Sequence, residues 1–324
     1  MYRDPRKMLV RHKMILGNLP FLGISYQGKQ RDEQLRNKFS SKDEIKKVMK
    51  TAIDYDVRIF SASAHMFNSL AQIYLQAVKE VEDEEGMDIQ LIPCLDVPLR
   101  LRGRKLNDYK RWKTHVNYES ETFGKSVTQR VLEDPILNCR PNWKENLQLA
   151  KPYRMKDLQR ELRIDWNLWE RNIDAFSEYH IAWIEPGSET DFLAISRMDL
   201  LEELLDVTRE AGYRTLLGSH HLGVSFPLVE EGRVKRFDGY VTPVNKLGIM
   251  MFPTQKAVEN AVRKARKQGK LIVGIKPLAG GRIKPQEALS YVYKEIKADA
   301  CMIGVSSVDE AKEDFETAQK LLTS

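Results

Sequence analysis

The chain has 324 residues, longer than the usual single domain, yet within the range of a parallel α/β barrel with insertions. Hydrophobic residues make up 42% and charged residues 30%, which supports a large core and argues against a disordered or fibrous chain. The net charge is +6, but 52 basic residues face 46 acidic ones, interspersed rather than blocked, so the composition predicts a solvated ionic surface and no nucleic-acid partner.

Cys94, Cys139 and Cys301 are far apart and form no CxxC pair. They predict a reducing, cytoplasmic setting and no cysteine-based metal centre. The charged segment MYRDPRKMLVRHKM lacks an apolar core, so no secretory signal is expected. No apolar run approaches ~18 residues, so no membrane span is expected either.

In chain order, Met14–Ser25 predicts an entry strand or hairpin punctuated by Gly17, Pro20 and Gly23. Ser41-Lys-Asp-Glu44 has capping-box spacing and opens a helix through Ile45, Val48, Met49 and Ile53. A strand over Val57–Ala62, a helix over Ser69–Glu84 and a continuous apolar strand over Ile89–Val97 follow. The stretch Leu99–Tyr153, rich in Lys, Arg, Asn, Tyr and Trp, shows no regular period. Helical spacing returns over Met155–Tyr179, through Leu158, Leu162, Trp166, Trp169, Ile173 and Phe176. Strands are then expected at His180–Ile184, Arg214–Gly218 and Phe237–Val241, with helices over Met198–Ala211 and Thr254–Gln268. Two last strand–helix units occupy Leu271–Leu322.

Strands near residues 22, 58, 92, 182, 215, 239, 273 and 302 make eight, mostly separated by single helices. Continuous apolar strands covered by helices imply a parallel sheet. Eight of them favour an α/β fold closed as a (β/α)8 barrel over an open doubly wound sheet, and no GxGxxG follows the first strand. The expectation is one barrel domain over residues 1–324, with residues 99–179 inserted after the third strand as a lid-like segment. Four of the five Trp residues fall in that insertion.

Barrel active sites lie at strand C-termini. That rule nominates Ser61, His65, Asp96, Glu185, Ser219, His220, His221, Asn245, Lys276 and the Gly280/Ser306 region. Gly280-Gly281-Arg282 and Ser306-Ser307 follow the last two strands, where glycine admits close backbone approach and a helix start offers free N–H groups to an anion. Ser307-Val-Asp-Glu310 also has capping-box spacing, which gives the serines a structural role without a ligand. A carboxylate at Glu185, ending an apolar strand before Pro-Gly, is desolvated and suited to acid/base work or to pairing with a base. Neighbouring strand residues face opposite ways, so one of His220 and His221 faces the mouth, and the pattern selects His220. Lys276 suits an anion or carboxylate partner, or a Schiff base. Glu185, His220 and Asp96 could together hold a divalent metal, although no tight HxH or HExxH spacing supports this, and the primary reading assigns no metal ligand.

Ile275-Lys-Pro-Leu-Ala-Gly-Gly281, Ala288-Leu-Ser-Tyr-Val292 and Ile303-Gly-Val-Ser-Ser-Val-Asp-Glu310 resemble the C-terminal third of aldo-keto reductases. Ala211–His220, Val241–Asn245 and Val57–Phe60 are similar to that family's fifth, sixth and second strands. The resemblance implies a barrel, an oxidoreductase ancestry and phosphate contacts to NAD or NADP. Ser219, Asn245, Lys276, Gly280, Gly281, Arg282, Ser306 and Ser307 are the implied cofactor-binding residues. The family's Asp, Tyr, Lys and His are replaced here: Ser61 and Met66 (or Phe67) stand at the first two places, Leu91–Asp96 offers no Lys, and Glu185 stands at the last. Glu310 falls near the usual basic contact to a 2′-phosphate, which disfavours NADP. Glu185 as acid/base with His220 as its partner is the implied substitute. The alternatives are a metal-assisted isomerase or lyase, and a non-catalytic binding scaffold. The expected ligand is a small molecule or nucleotide.

Overall fold

The structure is a computed structural model and describes residues 5–64 and 69–323. Eight parallel strand segments form the barrel: β1 (Met14–Gly17), β2 (Ile59–Ser63), β3 (Gln90–Leu95), β4 (His180–Ile181 and Glu185–Pro186), β5 (Leu216–Gly218), β6 (Gly239–Pro243), β7 (Leu271–Ile275) and β8 (Ala300–Gly304). Pairing runs β4-β3-β2-β1-β8-β7-β6-β5. The β4–β5 seam is closed by the Ile184–Thr215 bridge, with Ile184 N donating to Arg214 O at 2.8 Å and Leu216 N to Ile184 O at 3.0 Å. This is a barrel of the TIM type.

Alternation along the strands sorts the core. Ile15, Ile59, Ile92, Trp183, Val241 and Val273 pack in one buried cluster. Their neighbours Leu16, Phe60, Leu91, Tyr240 and Ile272 join the larger cluster with the surrounding helices. A short helix, Pro5–Arg11, buries Met8 and Leu9 against the first of these clusters. Its Arg6 donates to Asp238 and to Gly269 O, just ahead of β6 and β7, so it closes the N-terminal end.

Two expectations need correction. The first strand is Met14–Gly17 rather than centred near residue 22; Leu19–Leu22 is a 3-10 turn closed by Gly23 in the left-handed region (φ 72°). The single helix expected over Met155–Tyr179 is two helices, Met155–Glu161 and Trp166–Asp174, separated by the strand Leu162–Ile164. That strand pairs antiparallel with Leu99–Leu101, so a tertiary partner overrides the helical period.

The stretch without a readable period is also ordered. It holds the helices Asp108–Phe123, Ser126–Glu133 and Trp143–Leu149. They enclose Trp112, Val116, Val131, Leu137 and Trp143, and pack on Ile249, Met250, Phe252, Ala279 and Ile283 from the turns after β6 and β7. Asp134 ties the two parts together. One of its carboxylate oxygens accepts from Ile136 N and Leu137 N, and the other from Met250 N at 2.7 Å. The insertion therefore sits over the barrel mouth.

Candidate functional site

A cavity of about 300 Å3 remains between the insertion and the mouth. Lys276 and His220 line it from the barrel, Tyr26 and Asp32 from the segment after β1, and Ile136, Leu137, Cys139 and Arg140 from the insertion. Its volume is at the lower end of small-molecule pockets.

Lys276 leaves β7 with φ 56°, in the left-handed region that L side chains rarely adopt. It precedes a proline, which disfavours helical backbone as well. Strain of this kind is held only where surrounding packing fixes it. The result is that its ammonium sits 3.1 Å from His220 Nε2 and 5.2 Å from the centre of the Tyr26 ring. Lysine can only donate, so His220 Nε2 accepts and the ring is neutral, with its proton on Nδ1. Among the described residues, Nδ1 has no hydrogen-bond partner, and it is buried. Burial, then the Lys276 charge, push the His220 pKa well below the usual histidine range. Among the described residues, no carboxylate lies within salt-bridge distance of Lys276. Arg140, on the opposite wall, pairs with Asp108 at 2.9 Å and lies over the rings of Trp112 and Trp143.

Glu185 is buried behind this wall, beside Cys94 of β3 in the strand register. Desolvation raises its pKa to about 7, against the opposing effects of the Cys94 thiol and the Lys276 charge. A Cβ on Gly218 would come within 2.9 Å of the Glu185 carboxylate and 2.7 Å of Pro186 O, so glycine on β5 leaves room for the acid. Cys94, in turn, is pushed well above the normal thiol range by burial and by the carboxylates of Glu185, Asp96 and Glu189. It is a thiol, not a nucleophilic thiolate.

The remaining nominated residues are distributed differently. Ser61 bridges β2 to Asn18, accepting from its backbone N–H and donating to its side-chain oxygen, each at 2.8 Å. Ser219 Oγ donates to Asp191 at 2.6 Å, and the backbone N–H groups of His220 and His221 donate to the same carboxylate. Asn245 closes its own turn with hydrogen bonds to Ile249 N and O, both at 2.9 Å. Arg282 donates to Ala279 O and Tyr26 O, while Gly280 and Gly281 pack against Tyr26 and Gln27. Ser306 N and Oγ both donate to Glu310, and Ser307 Oγ accepts from Glu310 N. The helix start thus receives a carboxylate from its own first turn. His65 and Met66 lie outside the described residues.

These contacts bear on a nicotinamide dinucleotide. Of the groups that would contact its phosphates, Arg282 already holds Ala279 O and Tyr26 O, Ser306 already holds Glu310, and Ser219 and Asn245 are satisfied within the chain. In this arrangement Ser219, Asn245, Arg282 and Ser306 do not fit a dinucleotide, their polar groups being engaged within the chain. The metal set Glu185/His220/Asp96 does not assemble either, because Lys276 occupies His220 Nε2 and Asp96 is exposed. Among the described residues one cluster could hold a metal: His115, Glu119 and His221. His115 and Glu119 are four apart on the insertion's first helix, a spacing visible in the sequence once that segment is known to be helical.

No protein-family model matches the chain, and no curated protein matches it significantly. Two solved structures from Pseudomonas aeruginosa are similar over 96% of the chain. One is PA4992, described as "the putative aldo-keto reductase", with 13% identity, 91% of its own length and a TM-score of 0.48. The other carries a like description, with 12%, 90% and 0.49. A GH99 endo-alpha-mannosidase from Bacteroides thetaiotaomicron matches over 84% of this chain and 72% of its own, with 15% identity and a TM-score of 0.34. Values this low assign no family, and the barrel rests on its own strand pairing.

Proposed function

We propose that the chain binds a small anionic molecule, a carboxylate or phosphate ester, in the lidded cavity at the C-terminal mouth of the barrel. The observation that carries this reading is the convergence of Lys276, Arg140 and His220 on one cavity of about 300 Å3. Lys276 supplies the charge, and a neutral His220 keeps that charge from being neutralised. Ile24, Ile136, Leu137 and Met250 supply apolar walls for a short carbon chain.

Glu185 and His220 are the proton-handling groups of the proposal. A carboxyl held near neutrality can give or take a proton at physiological pH. An anion on Lys276 would cancel the charge that lowers the Glu185 pKa, and so would favour its protonated, acid form. The reading is of an enzyme with a non-standard acid rather than of a reductase with a bound nucleotide. A nicotinamide cofactor is the competing reading, favoured by the Gly280-Gly281 and Ser306-Ser307 segments and opposed by the contacts those segments make.

Arg140 lies 5.9 Å from the Trp112 ring centre and 5.4 Å from that of Trp143, so protein fluorescence reports on the cavity. Titration with inorganic phosphate, succinate, NAD and NADP is expected to give a saturable change with a small anion. Lys276→Met is expected to weaken it by roughly 10- to 100-fold, the worth of a charged hydrogen bond. Tighter binding of NAD or NADP would replace this reading with the nucleotide one. No saturable response to either small anion would sink it.

A further inference from the structure

The strongest unexplained feature is the cluster beneath the insertion. His115 and Glu119 project from one face of the helix Asp108–Phe123, four residues apart. His221 comes from the turn after β5, at the start of the helix Leu222–Glu231, with its backbone N–H fixed on Asp191 at 3.0 Å. All three side chains are buried, and one donor atom from each lies within 4.8 Å of the others.

The protein alone does not satisfy this cluster. His221 Nδ1 meets Glu119 Oε1 at 2.8 Å. Among the described residues, the other Glu119 oxygen and both ring nitrogens of His115 are buried without a well-formed hydrogen bond, the Asp191 backbone making only a weak contact with His115. The two imidazoles stack with centres 4.2 Å apart and planes 12° apart. Each orphaned buried polar atom carries a desolvation cost, so three in one place call for a missing partner.

We propose that His115, Glu119 and His221 bind a divalent transition-metal cation of the Zn2+ class. Two imidazole nitrogens and a carboxylate oxygen are the borderline donors such ions prefer. Tetrahedral zinc would place its donors about 3.3 Å apart, so donors that now lie within 4.8 Å of one another need to close by at most about 1.5 Å, within reach of side-chain rotation. The local charge suits a dication. Asp191 and Glu119 are carboxylates in the cluster's immediate surroundings, and the neighbouring cation Arg111 is already paired with Glu189 at 2.9 Å and Asp108 at 2.7 Å. A gap of about 10 Å3, lined by Arg111, Trp112, His115, Ser188 and His221, has room for one water as fourth ligand. The ion would pin the lid's first helix to the turn that carries His220.

The test uses the full chain without a polyhistidine tag, stripped with a chelator and titrated with Co2+, then Zn2+. One Co2+ per chain with the visible bands of tetrahedral coordination is expected, displaced by Zn2+. His115→Ala and Glu119→Gln are expected to weaken binding at least ten-fold, and His180→Ala, an exposed histidine elsewhere, to leave it unchanged. Absence of stoichiometric binding, or equal binding by His115→Ala and the parent, overturns the site. Should both ligand variants fail to fold, anomalous scattering from zinc-soaked crystals of the parent decides. An ion between His115 and His221 supports the proposal, and an ion elsewhere or none overturns it.

Discussion

Glu185→Gln is expected to stabilise the protein by roughly 3 kcal/mol at pH 8, and by under about 1 kcal/mol at pH 5. Burial raises the Glu185 pKa from 4.5 to about 7, so the folded chain holds this proton more tightly than the unfolded chain does. The stability the protonated carboxyl contributes is complete below about pH 4.5 and is lost as pH rises to about 7. Above that, both states are ionised and the folded state carries a buried charge, which Lys276 and the Cys94 thiol offset only in part. Glutamine keeps the shape and never ionises. Asp314, raised to about 7 mainly by burial, and the depressed His115 and His220 titrate in both proteins, so the difference between the two isolates position 185. Urea midpoints at pH 5, 6.5 and 8 provide the measurement. Equal stability at pH 8, or a gain that does not change with pH, would falsify the assignment of Glu185 as a carboxyl poised near neutrality.

A buried carboxyl that costs stability at working pH and feels the charge of a strained lysine is what the proposed acid/base role of Glu185 would require. The sequence placed Glu185, His220 and Lys276 at strand ends from the barrel rule alone, and the structure brings Lys276 onto His220 across 56 residues. It could not show that Tyr26 and Arg140 complete the cavity, because both arrive from connecting segments whose path no periodicity encodes. The insertion escaped for a related reason. Its first helix buries His115 and Glu119 beside Trp112 and Val116, so a count of apolar positions sees no face.

Ser306-Ser307 shows a different limit. A capping box and an anion site want the same free N–H groups, and the structure shows the Glu310 carboxylate accepting the Ser306 N–H while Ser307 Oγ accepts the Glu310 N–H. The strands were legible wherever the apolar run was continuous, as in Leu271–Ile275 and Ala300–Gly304. They misled where apolar residues made a turn, as in Leu19–Leu22.

Gly239→Ala is expected to cost at least about 3 kcal/mol, or to prevent accumulation of folded protein. Gly239 opens β6 opposite Leu271 of β7. A Cβ there would lie 2.0 Å from Leu271 O and 2.6 Å from its C and N. These are backbone atoms of a paired strand, so no rotamer change relieves the clash and the strands must part. The neighbouring contacts would go with them. Asp238 O accepts from Leu271 N at 2.9 Å, and the Asp238 carboxylate holds Trp183 Nε1 at 2.7 Å and Arg214 Nε at 2.5 Å. Gly274→Ala on β7 is the control. Its Cβ would meet Val244 and Val292 side chains at 3.4 Å, ordinary contact, so a change within about 1 kcal/mol is expected. Chemical denaturation of both variants is the measurement, and a Gly239→Ala midpoint near that of the parent would refute the argument. The consequence reaches the mouth of the barrel. The β6–β7 register ends with Val244 N donating to Ile275 O at 3.0 Å, one residue before Lys276 turns into its strained conformation. A substitution at the closed end that separates these strands therefore removes the lysine from His220 as well, and anion binding should fall together with stability.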